Sequence, residues 1–526
     1  MSKVDLDYSL DDKYLLDEGR VFLSGTQALV KLPLIQKKID ELNNLNTAGF
    51  ISGYPGSPLG GYDHALHQAS NFLKDKQIVF QPGINEDLAA TALHGTQQTT
   101  LVDNPKHDGV FGIWFGKGPG VDRSGDALKH GNYAGSSKHG GVLALAGDDH
   151  AAKSSTTAHQ SDHAFIHFGM PILNPATVQD YIDFGLMGIA MSRYSGCWIG
   201  MKCITDTVES AASVDIGLKR FKPVLPDISD EEGDLHLQWG YMPAMSESRL
   251  YKQRLPAAQA FARANSIDRV IFQGQKKLAI VTSGKAYLDV RQSLDELGLS
   301  EKLCSKIGIS LYKVGMVWPL EPKNISNFVN GNEEVLVVEE KRPIVEDQLL
   351  KYLYNEKDRP LIIGKKDEFG NDLVPSEGEL SPSQIALIIA KRIKGLSLNI
   401  ELESKVEEIE TLLGNINSAP VSDLFRLPSF CAGCPHNTST KVPDDSFAFG
   451  GIGCHGMATF MPERKTYNLG QMGGEGVMWT GIAPFTETDH IFQNLGDGTY
   501  YHSGILALRA AIASKANITF KILVND

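Results

Sequence analysis

The sequence predicts an α/β fold: several doubly wound, mostly parallel sheets. Three observations predict it. Short apolar runs end in glycine, as at 109–116 and 141–147, the pattern of strands buried on both faces. Such runs alternate with amphipathic helical stretches, as at 277–282 followed by 286–297. The chain of 526 residues is too long for one core and points to about three domains.

The elements follow in order. Residues 1–18 are polar and read as an N-terminal arm. Residues 19–225 are glycine-rich, with short apolar strands between turns. Within them, 50–55 is a strand running into a tight turn. Residues 87–98 predict a helix, with Asn85 as its N-cap and Glu86 and Asp87 in the first turn. Residues 226–265 carry Asp227, Asp230, Glu231, Glu232 and Asp234 and read as a polar connector. A second α/β domain spans 266–365, with strands at 277–282, 307–314 and 334–338 and helices at 286–297 and 344–354. Residues 366–427 read as a helical linker that includes 401–413, and a last domain begins at 428. No internal repeat or low-complexity tract stands out.

Composition narrows the function. A net charge of -13 argues against nucleic acid or an anionic membrane as partner. Hydrophobic residues at 42% and charged residues at 21% suit a soluble globular protein. No apolar run approaches the ~20 residues of a membrane span. The acidic start Met1-Ser2-Lys3-Val4-Asp5-Leu6-Asp7 lacks the apolar core of a secretory signal. Six cysteines in so long a chain argue against a disulfide scaffold and for a reducing, cytoplasmic compartment.

The end of the chain carries a diphosphate–Mg²⁺ pattern. Gly496-Asp497-Gly498 is followed, after 26 residues, by Asn525. Gly496 and Gly498 let the backbone approach a diphosphate, and Asp497 offers a hard oxygen to Mg²⁺. A helix expected at 504–515 directs its positive end at the anion. The apolar run 519–524 is the strand that delivers the Asn525 amide oxygen. Alone, Gly-Asp-Gly is more often a plain turn; the whole strand–loop–helix–strand unit is far more specific.

Cys431-Ala432-Gly433-Cys434-Pro435 is a Cys-x-x-Cys pair, and Gly451-Ile452-Gly453-Cys454 follows. Glycine-flanked thiols can fold around an inorganic core. Spacing alone leaves three readings open: an Fe–S cluster, a zinc site completed by His436 or His455, or no metal with a redox pair at most. Cys197, Cys203 and Cys304 sit in apolar runs and read as buried small hydrophobes. His150, His159, His163 and His167 crowd one stretch; a zinc face on a helix competes there with plain polar packing near a site. Asp148, Asp149, Lys153 and Ser154 follow a strand end, where ligand-binding groups gather in parallel sheets, though a solvated loop has the same composition. Glu86, at a strand–helix junction, is by default a helix-dipole partner.

Together these residues resemble a known family. Tyr54-Pro55-Gly56-Ser57-Pro58, Gly83-Ile84-Asn85-Glu86, Lys117-Gly118-Pro119-Gly120-Val121-Asp122-Arg123 and Gly147-Asp148-Asp149-His150 are similar to motifs of the 2-oxoacid:ferredoxin oxidoreductases. So are Cys431-Ala432-Gly433-Cys434-Pro435-His436, Gly451-Ile452-Gly453-Cys454, Gln471-Met472-Gly473-Gly474-Glu475-Gly476 and Gly496-Asp497-Gly498. Within that family the chain looks most like the indolepyruvate type in its long form, with catalytic subunits fused, from about residue 19 onward.

The resemblance implies sheets of thiamine diphosphate-enzyme type. It implies that 19–225 binds the cofactor's aminopyrimidine, that 266–365 is like the C-terminal domain of transketolase, and that 428–526 begins the diphosphate domain. Glu86 matches the acid that serves the aminopyrimidine, and Ser57 a substrate-approaching hydroxyl that is usually threonine. Asp497 and Asn525 match Mg²⁺ ligands, and Cys431, Cys434 and Cys454 match three ligands of a [4Fe-4S] cluster. The implied reaction is oxidative decarboxylation of an aryl-2-oxoacid to acyl-CoA and CO₂, with electrons passing through Fe–S to ferredoxin. The implied partners are coenzyme A, ferredoxin and a second copy of the chain. A fourth cysteine and a smaller fused domain are expected beyond residue 526, so the sequence reads as an N-terminal fragment. A non-oxidative thiamine diphosphate decarboxylase or synthase, and a zinc-stabilised binding module, are the alternatives.

Overall fold

The computed structural model describes residues 9–227, 234–240, 243–418 and 428–525. Part of the polar arm, Asp230, Glu231 and Glu232 of the connector, and residues 419–427 lie outside the described residues. The chain divides into two compact units, Met1–Ser418 and Ala419–Asp526.

The first unit holds a seven-stranded sheet. Its order is Met316–Trp318, Ile172–Leu173, Ile199–Ile204, Val142–Asp148, Gly109–Lys117, Thr47–Gly53, Ile78–Phe80. Neighbours are parallel except Met316–Trp318, which runs antiparallel at one edge. Val142–Asp148 and Ile199–Ile204 bury every residue, which is why they read as unbroken apolar runs. Successive side chains feed opposite cores: Leu143 and Leu145 join Leu29, Leu32 and Tyr181 on one face, while Val142 and Ala144 join Leu93, Trp114 and Leu128 on the other. The helices Gly25–Leu42 and Val178–Ser195 cover the first face, each opened by a capping box, Ser24 with Gln27 and Thr177 with Asp180.

A five-stranded sheet follows in the same unit, in the order Leu361–Ile363, Glu334–Val338, Leu278–Ser283, Ile309–Val314, Arg269–Phe272, parallel except for Arg269–Phe272. Two segments do more here than the sequence suggested. The stretch read as a helical linker contains Pro382–Gly395, which buries Ile385, Ile389 and Ile393 in the core of this sheet, joined by Leu402 and Ile409. The stretch read as a polar connector ends in the helix Leu255–Ala264, whose Leu255, Ala258, Phe261 and Ala262 enter the first core. The run of acids just before it drew attention from that 3.6-residue apolar spacing.

The second unit carries four parallel strands in the order Thr466–Tyr467, Ala448–Phe449, Ile491–Gly496, Ile518–Leu523. Its helix starts earlier than the expected 504: helical backbone begins with Asp497–Thr499, widens through Tyr500–Gly504 and continues as Ile505–Ala513. Tyr500, Tyr501 and His502 lack an apolar period, so this first part was invisible to pattern. Among the described residues no helix is long and apolar enough to cross a membrane.

Candidate functional site

In the first unit three turns meet at the carboxyl ends of parallel strands, where ligands gather in doubly wound sheets. Gly83 N donates to Gly53 O at 2.9 Å, and Tyr54 N to Phe115 O at 3.2 Å. Glu86 opens the helix Glu86–Gln97, and the Asn85 side chain caps it by accepting from Leu88 N at 3.0 Å. Trp114 Nε1 donates to Glu86 O at 2.9 Å, anchoring the helix start from below. Glu86 is 7% exposed, and its carboxyl lies on glycine: a Cβ on Gly120 would stand 2.8 Å from Oε1. Only glycine at 120 leaves room for the acid in this place. Ser57 is half-buried in the turn after Thr47–Gly53, at the same end of the sheet.

The loop after Val142–Asp148 closes over this edge. Asp149 accepts from Lys153 N at 2.9 Å, Ser154 N at 2.7 Å and Ser155 Oγ at 3.0 Å. Burial works against its charge, yet these bonds prevail and hold its pKa below the usual value. Lys117 Nζ donates to Ser154 O at 2.9 Å, and burial lowers the lysine's pKa. The histidine cluster does not form a shared face. Only His163 and His167 lie on the helix Asp162–Phe168. His150 Nδ1 meets Glu340, and His159 Nε2 meets Asp122 Oδ2 at 3.2 Å, a bond that raises the pKa of His159.

In the second unit the strands Ile491–Gly496 and Ile518–Leu523 run parallel, with Gly496 opposite Leu523. Asp497 and Asn525 therefore leave neighbouring strands at one sheet end. Asp497 Oδ1 accepts from Gly498 N at 2.8 Å; Oδ2 has no hydrogen-bond partner among the described residues. The loop carrying Cys454 packs here: a Cβ on Gly496 would stand 2.9 Å from His455 Cε1, and one on Gly451 2.4 Å from Asn494 O. The other two thiols share a turn, Cys434 N donating to Cys431 O at 3.1 Å, with Asn437 Nδ2 bonded to both carbonyls. His436 and His455 stack edge-to-face at 5.7 Å, so the two cysteine-bearing segments lie side by side. Burial, with His436 beside it, pushes His455 down to about 4. Cys431 and Cys454 are exposed and Cys434 half-buried, whereas Cys197, Cys203 and Cys304 are buried. Among the described residues no three His, Cys, Asp or Glu side chains converge as a site for a single ion.

Comparison with known proteins shows what the chain is similar to. The family model "Indolepyruvate oxidoreductase domain" matches residues 268–415. Indolepyruvate oxidoreductase subunit IorA of Methanothermobacter thermautotrophicus is 24% identical over 536 residues, covering 98% of this chain and 77% of its own. The same subunit of Pyrococcus horikoshii is 23% identical, covering 96% of this chain and 74% of its own. The chain is similar to indolepyruvate oxidoreductase subunits over nearly its whole length. Among solved structures, a 2-oxoglutarate:ferredoxin oxidoreductase from Magnetococcus marinus aligns with a TM-score of 0.52 at 13% identity, covering 72% of this chain and 66% of that one. That likeness is one of fold. The protein is an oxidoreductase of α/β architecture.

Two residues gain a role only from the structure. Glu475 is buried, its Oε1 accepting from Ile452 N at 3.2 Å and Oε2 from Gly473 N at 2.7 Å, so it sets the loop before Cys454. Burial raises its pKa. An acid flanked by glycines in Gly473-Gly474-Glu475-Gly476 was the available signal. Asn494 is fully buried with both amide atoms lacking a partner among the described residues, beside the Gly451 loop. A buried amide left open at a strand end suits a ligand's polar group.

Proposed function

We propose that the chain carries out thiamine diphosphate-dependent oxidative decarboxylation of aryl-2-oxoacids of the indolepyruvate type, giving acyl-CoA and CO₂ and passing electrons through an Fe–S cluster to ferredoxin. One observation carries this reading. Register pairing of Gly496 with Leu523 brings Asp497 and Asn525 to one sheet end, against the Cys454 loop. Asp497 Oδ2, open in this arrangement, and the Asn525 amide oxygen are the hard donors that Mg²⁺ takes beside a diphosphate. The unpartnered Asn494 amide adds a polar group there. Thiamine diphosphate, when bound, supplies the stabilisation of negative charge at the former keto carbon.

The protein's own groups do the rest. Glu86, seated on Gly120 and Gly116, holds a proton on its carboxyl at the aminopyrimidine and relays it as general acid–base. Ser57 offers a hydroxyl to the substrate at the same strand end. Cys431, Cys434 and Cys454, carried on two adjacent segments, would hold the cluster, which would supply one-electron transfer. Coenzyme A, ferredoxin and a second copy of the chain are the proposed partners. Three clustered thiols have no task in a non-oxidative decarboxylase or synthase. A zinc-stabilised module has no need of Glu86 or of the Gly-Asp-Gly…Asn unit.

The test is analysis of anaerobically purified intact protein for iron, sulfide and thiamine, with indolepyruvate- and CoA-dependent dye reduction. Cys431→Ser, Cys434→Ser and Cys454→Ser should each lower iron and sulfide and stop electron delivery. Bound zinc with unchanged iron in these variants would replace the reading by a structural metal site.

A further inference from the structure

The first unit contains a second cavity whose residues take no part in the strand ends around Glu86. It lies between the helix Val178–Ser195, the segment after Ala211–Asp215 and the turn before Arg269–Phe272, with a volume of about 160 Å³. An apolar cavity of about 150 Å³ takes a body the size of benzene. Its wall is apolar: Ile182, Phe184, Leu186, Met187, Ile216 and Phe221 all border it. Ile182, Phe184, Leu186 and Ile216 are buried members of the first core and Met187 and Phe221 pack against it, so the wall is apolar core surface.

The charges at the rim are unequal. Arg220 is satisfied, with Nη2 2.9 Å from Asp183 Oδ2 and Nε 3.5 Å from Asp215 Oδ2. Arg269 also lines the cavity and is exposed; it makes no ion pair or side-chain hydrogen bond among the described residues. Beside it Ser266, another lining residue, has φ of 49°, a left-handed backbone in a residue other than glycine. It makes the left-handed turn that ends the helix Leu255–Ala264, with Ile267 N donating to Ala262 O at 3.2 Å. An apolar chamber with one unmatched guanidinium selects an amphipathic anion, because the guanidinium pairs a carboxylate in a two-pronged fork.

We propose that this cavity is a second small-molecule site, which takes an organic acid with an aryl or branched apolar body and a single carboxylate placed on Arg269. The site lies outside the proposed catalytic residues, and its occupant is an effector rather than a substrate.

The probe is phenylacetate, titrated calorimetrically into the intact protein, with neutral phenylacetamide as control. Phenylacetate should bind saturably, one per chain, with a Kd on the order of millimolar or tighter. Phenylacetamide should bind at least about tenfold more weakly, and Arg269→Gln should lose about the same factor. Met187→Trp, which fills the chamber, should abolish binding, and Glu86→Gln should leave it intact. Absence of saturable binding overturns the proposal. So does equal binding to Arg269→Gln, and so does loss of binding in Glu86→Gln, which would put the acid at the catalytic residues. If Met187→Trp does not fold by circular dichroism, the surface variant Arg269→Gln decides alone.

Discussion

Glu86 shows how much one side chain depends on its seat. It is buried at the first turn of a helix, with Asn85 capping the backbone and Gly120 leaving room for the carboxyl. Glu86→Gln keeps the shape and removes the proton, so turnover should fall by the ~10²–10⁴ typical of lost general acid–base catalysis while thiamine diphosphate stays bound. Steady-state kinetics with cofactor analysis reads this, and near-normal kcat would remove Glu86 from its role. Glu340 is a second case. Burial alone would raise its pKa, but His150 Nδ1 and Lys285 Nζ, the latter at 2.9 Å, hold it down to about 2. A carboxyl depressed below its ordinary 4.5 contributes stability above that value and loses it as pH falls toward 2. Glu340→Gln should therefore destabilise by about 3 kcal/mol at neutral pH, since it breaks a buried ion pair. The gap from the native protein should narrow in thermal melts at pH 3.5. A gap of the same size at both pH values would show that packing, not charge, is what Glu340 contributes.

At the scale of elements, the short helix Gly118–Arg123 separates stability from function. Alanine is the better helix former by about 1 kcal/mol, so Gly120→Ala should leave the fold intact. Yet the new Cβ would stand 2.7 Å from Glu86 Cγ, and the carboxyl must move. A misplacement of this size should lower kcat by up to about 10²-fold. Unchanged melting with lost turnover is the expected pair of results; unchanged turnover would mean that Glu86 tolerates displacement. The helix that begins at Asp497 follows the same logic. Its first turn starts where Ile491–Gly496 ends, so the helix terminus and the acid proposed to bind Mg²⁺ are one feature rather than two.

At the scale of the molecule, the first unit is held by buried polar clamps as well as by apolar cores. Arg254 is 1% exposed and donates to four carbonyls: Leu235 O at 2.7 Å, Asn132 O at 3.3 Å, Tyr133 O at 3.0 Å and Ala134 O at 3.0 Å. It ties the helix Gly125–Ala134 and the residue Leu235 to the start of Leu255–Ala264. Burial lowers its pKa to about 10, still far above neutrality, so the clamp is charged at working pH. Arg254→Ala leaves those carbonyls unpaired and a cavity behind. A loss of about 3–5 kcal/mol is expected by chemical denaturation. Arg254→Lys cannot span the same fork and should recover only part of it. A loss under 1 kcal/mol from Arg254→Ala would mean that water replaces the clamp.

The sequence by itself determined the central strands of the two large sheets, because a strand buried on both faces must be a short apolar run, as at Val142–Asp148 and Glu334–Val338. It determined the start of Glu86–Gln97 through the local chemistry of an Asn cap. It also named Ser57, Glu86, Asp497, Asn525 and the three clustered cysteines as candidates, since motifs of glycine, acid and thiol are local. Tertiary structure alone decided the rest. The apolar faces of Leu255–Ala264 and Pro382–Gly395 gain meaning only against distant strands. The pairing of Glu475 with Ile452 N and the seat of Glu86 on Gly120 join residues far apart in the chain. Contacts of that kind depend on which surfaces the folded chain brings together, and no window along the sequence contains both partners.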